Sequence, residues 1–171
     1  RSVDFYEYEV IFRTWYPERL DREILMNMMS TLWDGAEAAT WAPHLVDNPL
    51  PGVAAKQILY QVARLDSQVP NLASELAVRT MGIPQLAPAA QSIWGVPDQE
   101  GPLDSALVYF DLHAEPPPPG NQPPEDDNGT HGDQRYLDGS RLQINAFFQG
   151  KSSPPCVTFA PRTAQPLPPS R

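Results

Sequence analysis

The sequence predicts an α+β fold: an N-terminal strand, a segment of four helices, then an antiparallel hairpin, with the helices packed on one face of the sheet. Three observations predict it. Residues 3–16 are dense in aromatic and β-branched side chains. The middle of the chain repeats apolar residues at helical spacing between prolines. The last third alternates apolar and polar residues with a period of two. A chain of 171 residues fits one domain, expected over 1–160, followed by a Pro-rich C-terminal arm over 161–171.

The strand over 3–16 rests on Phe5, Tyr6, Tyr8, Val10, Ile11, Phe12, Thr14, Trp15 and Tyr16. Apolar groups fall on both its faces, which suits a strand covered on both sides or one that joins a partner chain. Pro17 suits the first turn of a helix, and Glu18 and Asp21 suit its positive end. Leu25, Met28, Met29, Leu32 and Ala36 continue at helical spacing, giving a first helix over 17–39, its methionines read as core filling. A proline-interrupted connection over 40–52 leads to a second helix over 53–67, with Ala55, Ile58, Leu59, Val62 and Leu65 on its apolar face. Asn71 caps a third helix through Met81, with Gly82 as its stop. A fourth, short helix over 85–94 ends at Gly95.

The period then changes. Ala106, Val108, Phe110, Leu112 and Ala114 alternate with Leu107, Tyr109, Asp111 and His113 over 104–114, and Leu142, Ile144, Ala146 and Phe148 alternate with Arg141, Gln143, Asn145, Phe147 and Gln149 over 141–149. Both read as half-buried strands of one hairpin, and Val157 and Phe159 fit a short last strand. Between them lies an excursion over 115–135 that holds Pro116 to Pro119 and Glu125 to Asp127, of polyproline II and acidic character.

The charge balance excludes several functions. Net charge is −9, so phosphate backbones repel the chain and direct nucleic-acid binding is not expected. From Thr80 to Gln134 there is no Lys or Arg but nine acids, a solvated surface or a face for a basic partner. No apolar run approaches the ~18 residues of a membrane span. A chain opening on Arg1 reads as a processed product or a fragment. The single cysteine, Cys156, excludes an internal disulfide and a cysteine-based zinc site, and reads as a small apolar residue.

Chemistry is sparse. Asp111 and His113 share one strand face, and His131 or Asp133 lies across the expected hairpin. One adjacent pair falls short of the three or four ligands a metal needs, so no metal and no cofactor are expected. Convergence of Asp111, His113, His131 and Cys156 in one pocket would mark an unfamiliar enzyme site. No Gly-x-Ser-x-Gly elbow, phosphate loop or dinucleotide fingerprint occurs, so no catalytic residue is assigned. Asn128-Gly129-Thr130 matches a glycosylation acceptor and also an ordinary turn.

The expected function is therefore a non-enzymatic structural or interaction protein. It would be a subunit of a large assembly such as a virus capsid or its surface layer, in contact with other protein subunits. Stiff polyproline arms lose little entropy on docking, and aromatic groups anchor interfaces. The expected contact residues are Phe5, Tyr6 and Tyr8, Pro116, Pro117, Pro118 and Pro119, and Pro166, Pro168 and Pro169. The alternative is a small extracellular or regulatory module that binds through its acidic face; an enzyme with an unrecognised site ranks third.

Overall fold

The computed structural model describes residues 2–117 and 124–150. Its strands form a four-stranded sheet, all parallel, in the order β1-β4-β2-β3. The strands are β1 (Leu59–Ala63), β2 (Gln85–Leu86), β3 (Asp98–Gln99) and β4 (Ala106–Phe110). Leu59 pairs with Ala106 and Ala63 with Phe110 along β1–β4, and Gln85 faces Leu107 in β4 and Asp98 in β3. The helices are α1 (Tyr6–Trp15), α2 (Arg19–Ser30), α3 (Ala38–Trp41), α4 (Asn71–Met81), α5 (Thr130–Asp133) and α6 (Asp138–Phe148). This architecture replaces the expected α+β hairpin. Parallel neighbours need a crossover, and α4, β2 and β3 supply it between β1 and β4.

Each local correction has a physical cause. Residues 3–16 form a 3₁₀ turn and α1 rather than a strand. Helical i,i+3 and i,i+4 contacts outweigh β propensity there. Glu9 pairs with Arg13 at 2.9 Å, and the rings of Phe12 and Tyr16 lie with centroids 6.4 Å apart. The helix expected over 17–39 stops at Ser30 and passes into a 3₁₀ turn through Trp33.

The helix expected over 53–67 is β1. A parallel strand buried on both faces reads as a continuous apolar run, and Ile58 to Ala63 mimics a helical stripe. The helix expected over 85–94 is two-residue β2 and a loop, with Pro84 and Pro88 on either side of the strand. The strand expected over 104–114 shortens to β4, all five of whose residues are buried rather than alternating.

The strand expected over 141–149 lies in α6, whose buried side chains are the polar Ser140 and Gln143. With polar groups inside, the apolar residues that set a period-two pattern lie outside, so the pattern misreported the burial. The described end of the excursion expected over 115–135 therefore leads into α5 and a 3₁₀ turn rather than a second strand of a hairpin. The possible strand at Val157 and Phe159 and the arm over 161–171 lie outside the described residues.

Helices lie on both faces of the sheet, not one. Val62, Leu107 and Tyr109 pack against Val78 and Met81 of α4, with Ala42, Ile83, Ile93 and Val96. The opposite face carries Ala106, Val108, Phe110 and Leu86. There Gln61 meets the C-terminal helices through a closed amide network. Its Nε2 donates to Ser140 O at 3.1 Å and Gln143 Oε1 at 3.0 Å, and its Oε1 accepts from Ser140 Oγ at 2.8 Å. Gln134 Nε2 donates to Ser140 Oγ at 2.8 Å. Buried amides are tolerated because they satisfy one another.

Helix α4 forms over 71–81 as its sequence predicts, and Gly82 ends it in the left-handed conformation at φ 73°. Asn71 does not cap it; the N-cap is Pro70. Asn71 instead staples the chain after β1, accepting from Leu65 N at 2.7 Å and donating to Ala63 O at 2.8 Å. Among the described residues no helix is long and apolar enough to cross a membrane.

Candidate functional site

Parallel sheets gather chemistry at the carboxyl ends of their strands, where loops of several strands converge. The edge strand β1 and its neighbour β4 both end in polar loops with one residue in the left-handed region. Leu65 after β1 has φ 60°, and His113 after β4 has φ 58°. Non-glycine residues reach that region only when their surroundings hold them there. For Leu65 the holders are explicit: Asn71 takes its N–H, and Asn128 Nδ2 donates to its carbonyl at 2.7 Å.

The next residue, Asp66, carries the central contact. Its Oδ1 accepts the N–H groups of Gln68 at 2.8 Å and Val69 at 2.9 Å. Its Oδ2 lies 2.7 Å from Nδ1 of His131 in α5. The Asp66 side chain is 5% exposed and the imidazole 26%. The guanidinium of Arg135, one helical turn on, meets His131 Nε2 at 2.5 Å. A guanidinium only donates, so Nε2 accepts, and the proton of the neutral ring sits on Nδ1, facing Asp66.

The turn that precedes His131 is fixed from several directions. Ser67 Oγ donates to Asp127 Oδ1 at 2.9 Å, and Asn128 N donates to Ser67 Oγ at 3.1 Å. Gln68 Nε2 donates to Asp127 Oδ2 at 2.9 Å, and Asn128 Oδ1 accepts from Thr130 Oγ1 at 2.9 Å. The Gly129 amide, the Ser67 hydroxyl and the Gln68 amide hold the Asp127 carboxyl below its usual value, against a small burial effect. Asn128 Nδ2, the atom a glycan would occupy, is thus committed to Leu65.

A second network lies beside the first. Arg64 donates to Asp111 Oδ2 at 2.9 Å and to Gln91 Oε1 at 3.2 Å. Gln91 Nε2 and the Tyr109 hydroxyl both donate to Glu75 Oε1 at 3.0 Å. Partial burial pulls the Asp111 carboxyl up, but the His113 amide and Arg64 outweigh it, so it titrates low. Burial first, and then the Glu75 carboxylate, push the Tyr109 phenol well above its ordinary value.

The residues singled out from sequence distribute unevenly over these networks. Asp111 and His113 are neighbours, with His113 Nδ1 3.6 Å from Asp111 Oδ1, but the imidazole is turned to solvent. His131 pairs with Asp66 instead, and Cys156 lies outside the described residues. Asp66 was missed. The available signal was its place, a carboxylate directly after an apolar run that ends a parallel strand. Among the described residues no three His, Cys, Asp or Glu side chains are arranged to hold a metal. Gln85 Oε1 is buried and has no hydrogen-bond partner among the described residues.

The expected contact residues lie elsewhere. Phe5 lines a cleft of about 340 Å³ between α1 and α2, with Phe12 and Met26 as its apolar wall and Glu9, Arg22 and Glu23 beside them. Tyr6 and Tyr8 are exposed on the outside of α1, and Pro116 and Pro117 are exposed after β4. Pro118, Pro119, Pro166, Pro168 and Pro169 lie outside the described residues. Comparisons with family models, with curated proteins and with solved structures found no match.

Proposed function

We propose that this chain carries the acid–base half of a hydrolytic site, in which Asp66 orients His131 to take a proton from an attacking hydroxyl, thiol or water. The observation that carries the reading is the 2.7 Å contact between His131 Nδ1 and Asp66 Oδ2, made between the loop after β1 and helix α5. Such a carboxylate fixes the tautomer, leaves Nε2 as the base and stabilises the imidazolium that forms. The chain order, acid and then histidine, is also the order of the triads of α/β hydrolases, a likeness of arrangement only. The substrate class is an ester or amide carbonyl.

Among the described residues no serine, threonine or cysteine hydrogen-bonds to His131 Nε2. The attacking group is therefore water, or a side chain from beyond the described residues. Arg135 holds Nε2 in the present arrangement and, being exposed, is free to leave it. The test is hydrolysis of an activated aryl ester by the whole chain. His131→Asn is expected to lower the rate at least about a hundredfold, Asp66→Asn to lower it less, and His113→Asn to leave it unchanged. A rate that His131→Asn does not alter overturns the reading.

A second reading, a non-enzymatic subunit of a larger assembly that contacts other protein subunits, is favoured by a separate observation. The N-terminal helices expose apolar side chains from Tyr8 to Trp33, including Trp15 at 76% and Leu32 at 83%. Exposed apolar patches of this extent mark interaction surfaces. Its test is native mass, with a mass well above 19.0 kDa expected and a single-chain mass contradicting it.

A further inference from the structure

Arg135 stands where the acid–base reading of Asp66 and His131 needs open space. Its Nη2 meets His131 Nε2 at 2.5 Å. The one lone pair of that nitrogen is then engaged and takes no proton from an attacking group. The backbone around Arg135 is held. Gln134 is buried and donates to Gln61 Oε1 at 3.3 Å and Ser140 Oγ at 2.8 Å, and the Arg135 carbonyl accepts from Arg141 Nε at 3.3 Å. Movement away from Nε2 therefore falls to the exposed Arg135 side chain alone. We propose that Arg135 is the specificity residue of this site and that its ligand is a carboxylate on the substrate. The carboxylate draws the guanidinium off Nε2, so that binding frees the base. The inference deepens the hydrolytic reading and rests on it: the substrate class narrows to esters or amides that carry a carboxylate near the scissile carbonyl. The freed Nε2 takes the proton of the attacking group as that group bonds to the carbonyl carbon, and returns it to the leaving oxygen or nitrogen as the acyl bond breaks.

The partners of Arg135 carry the argument. Arg13 and Arg64 each pair with a carboxylate at 2.9 Å. The Arg135 guanidinium, among the described residues, meets only the ring nitrogen of His131. A planar fork of N–H donors matches a carboxylate with two parallel, charge-assisted bonds, each roughly twice as strong as a neutral one. An entering carboxylate therefore outcompetes the imidazole for Arg135. The acids nearby do not take its place. Asp66 already accepts three hydrogen bonds. Asp127 accepts from Ser67, Gln68 and the Gly129 amide. Asp133 Oδ2 lies on the Gly129 side of α5.

Two measurements on the whole chain test this, the first independent of hydrolysis. Nitrogen magnetic resonance of the His131 imidazole follows Nε2 during titration with succinamate, which carries one carboxylate and one amide carbonyl. A saturable shift of Nε2 is expected, absent with neutral succinamide and lost in Arg135→Ala. No shift, a shift that survives Arg135→Ala, or an equal response to inorganic phosphate overturns the proposal. The second measurement compares hydrolysis of a mono-aryl adipate with that of the corresponding aryl hexanoate, each above its uncatalysed rate. The wild type should favour the charged ester about tenfold in kcat/KM. Arg135→Ala should abolish that preference and raise the rate on the neutral ester about fivefold. A preference that Arg135→Ala leaves intact overturns the proposal, while hydrolysis that still depends on His131 keeps the earlier reading. An Nε2 shift through Arg135 without hydrolysis of either ester ends the hydrolytic reading and supports the carboxylate contact.

Discussion

The carboxyl end of the sheet and the N-terminal arm solve opposite problems. Around Asp66 almost every polar group has a partner: Asp66 accepts three hydrogen bonds, and Asn71 and Asn128 hold Leu65 in its left-handed conformation from both sides. On the outer faces of α1, α2 and the turn after them, large apolar groups face solvent, Trp15 and Leu32 most of all. The first region is fixed in advance of any ligand, as acid–base chemistry requires. The second leaves large apolar side chains in solvent. The difference teaches that one short chain can satisfy its polar groups in one region and leave large apolar groups in water in another.

The comparison breaks most visibly under truncation. Leu107→Ala, in the sheet core, should cost about 2–5 kcal/mol, because Leu107 is fully buried between Val62, Val78 and Tyr109. Leu32→Ala on the arm should stay within about 0.5 kcal/mol in the monomer, since that side chain touches solvent. Urea unfolding of both variants checks the pair. Equal effects would mean that the arm is covered within the single chain.

A smaller effect sharpens the polar side. Asn128→Ala removes the donor to Leu65 O and the acceptor for Thr130, and should cost about 1–3 kcal/mol in the same measurement. It should also loosen α5, so amide exchange at His131 should speed up while exchange in α1 and α2 does not change.

The smallest effect is pH-dependent. The folded state holds the Asp127 carboxyl low through the Gly129 amide first and then the Ser67 hydroxyl. A depressed carboxylate stabilises the fold above its unfolded value of about 3.9, and that contribution is lost as pH falls through the folded value. The stability gap between wild type and Asp127→Asn should therefore be widest near neutral pH and shrink below about pH 4. A gap that widens in acid would contradict the assignment.

What the sequence showed and what it hid follow the same division. Helix α4 was legible because Gly82 marks its stop, although Asn71, read as its cap, holds the preceding loop instead. Strand β1 was not, because burial on both faces removes the alternation that marks a strand, and Ile58, Leu59 and Val62 happen to fall at helical steps. Helix α6 was misread because it buries Ser140 and Gln143, whose partner Gln61 lies 79 residues from Ser140 in sequence. Tyr6 and Tyr8 are exposed, but on a helix rather than the expected strand. The Asp66–His131 pair spans 65 residues, and no local spacing announces it. Only the parallel crossover brings the two loops together.

The most direct test of that pair is proton and nitrogen magnetic resonance of the His131 imidazole near neutral pH. The structure requires the proton on Nδ1, giving a low-field, exchange-protected resonance that is lost in Asp66→Asn and retained in His113→Asn. An imidazole protonated on Nε2, or an Nδ1 proton indifferent to Asp66→Asn, would contradict the acid–base reading.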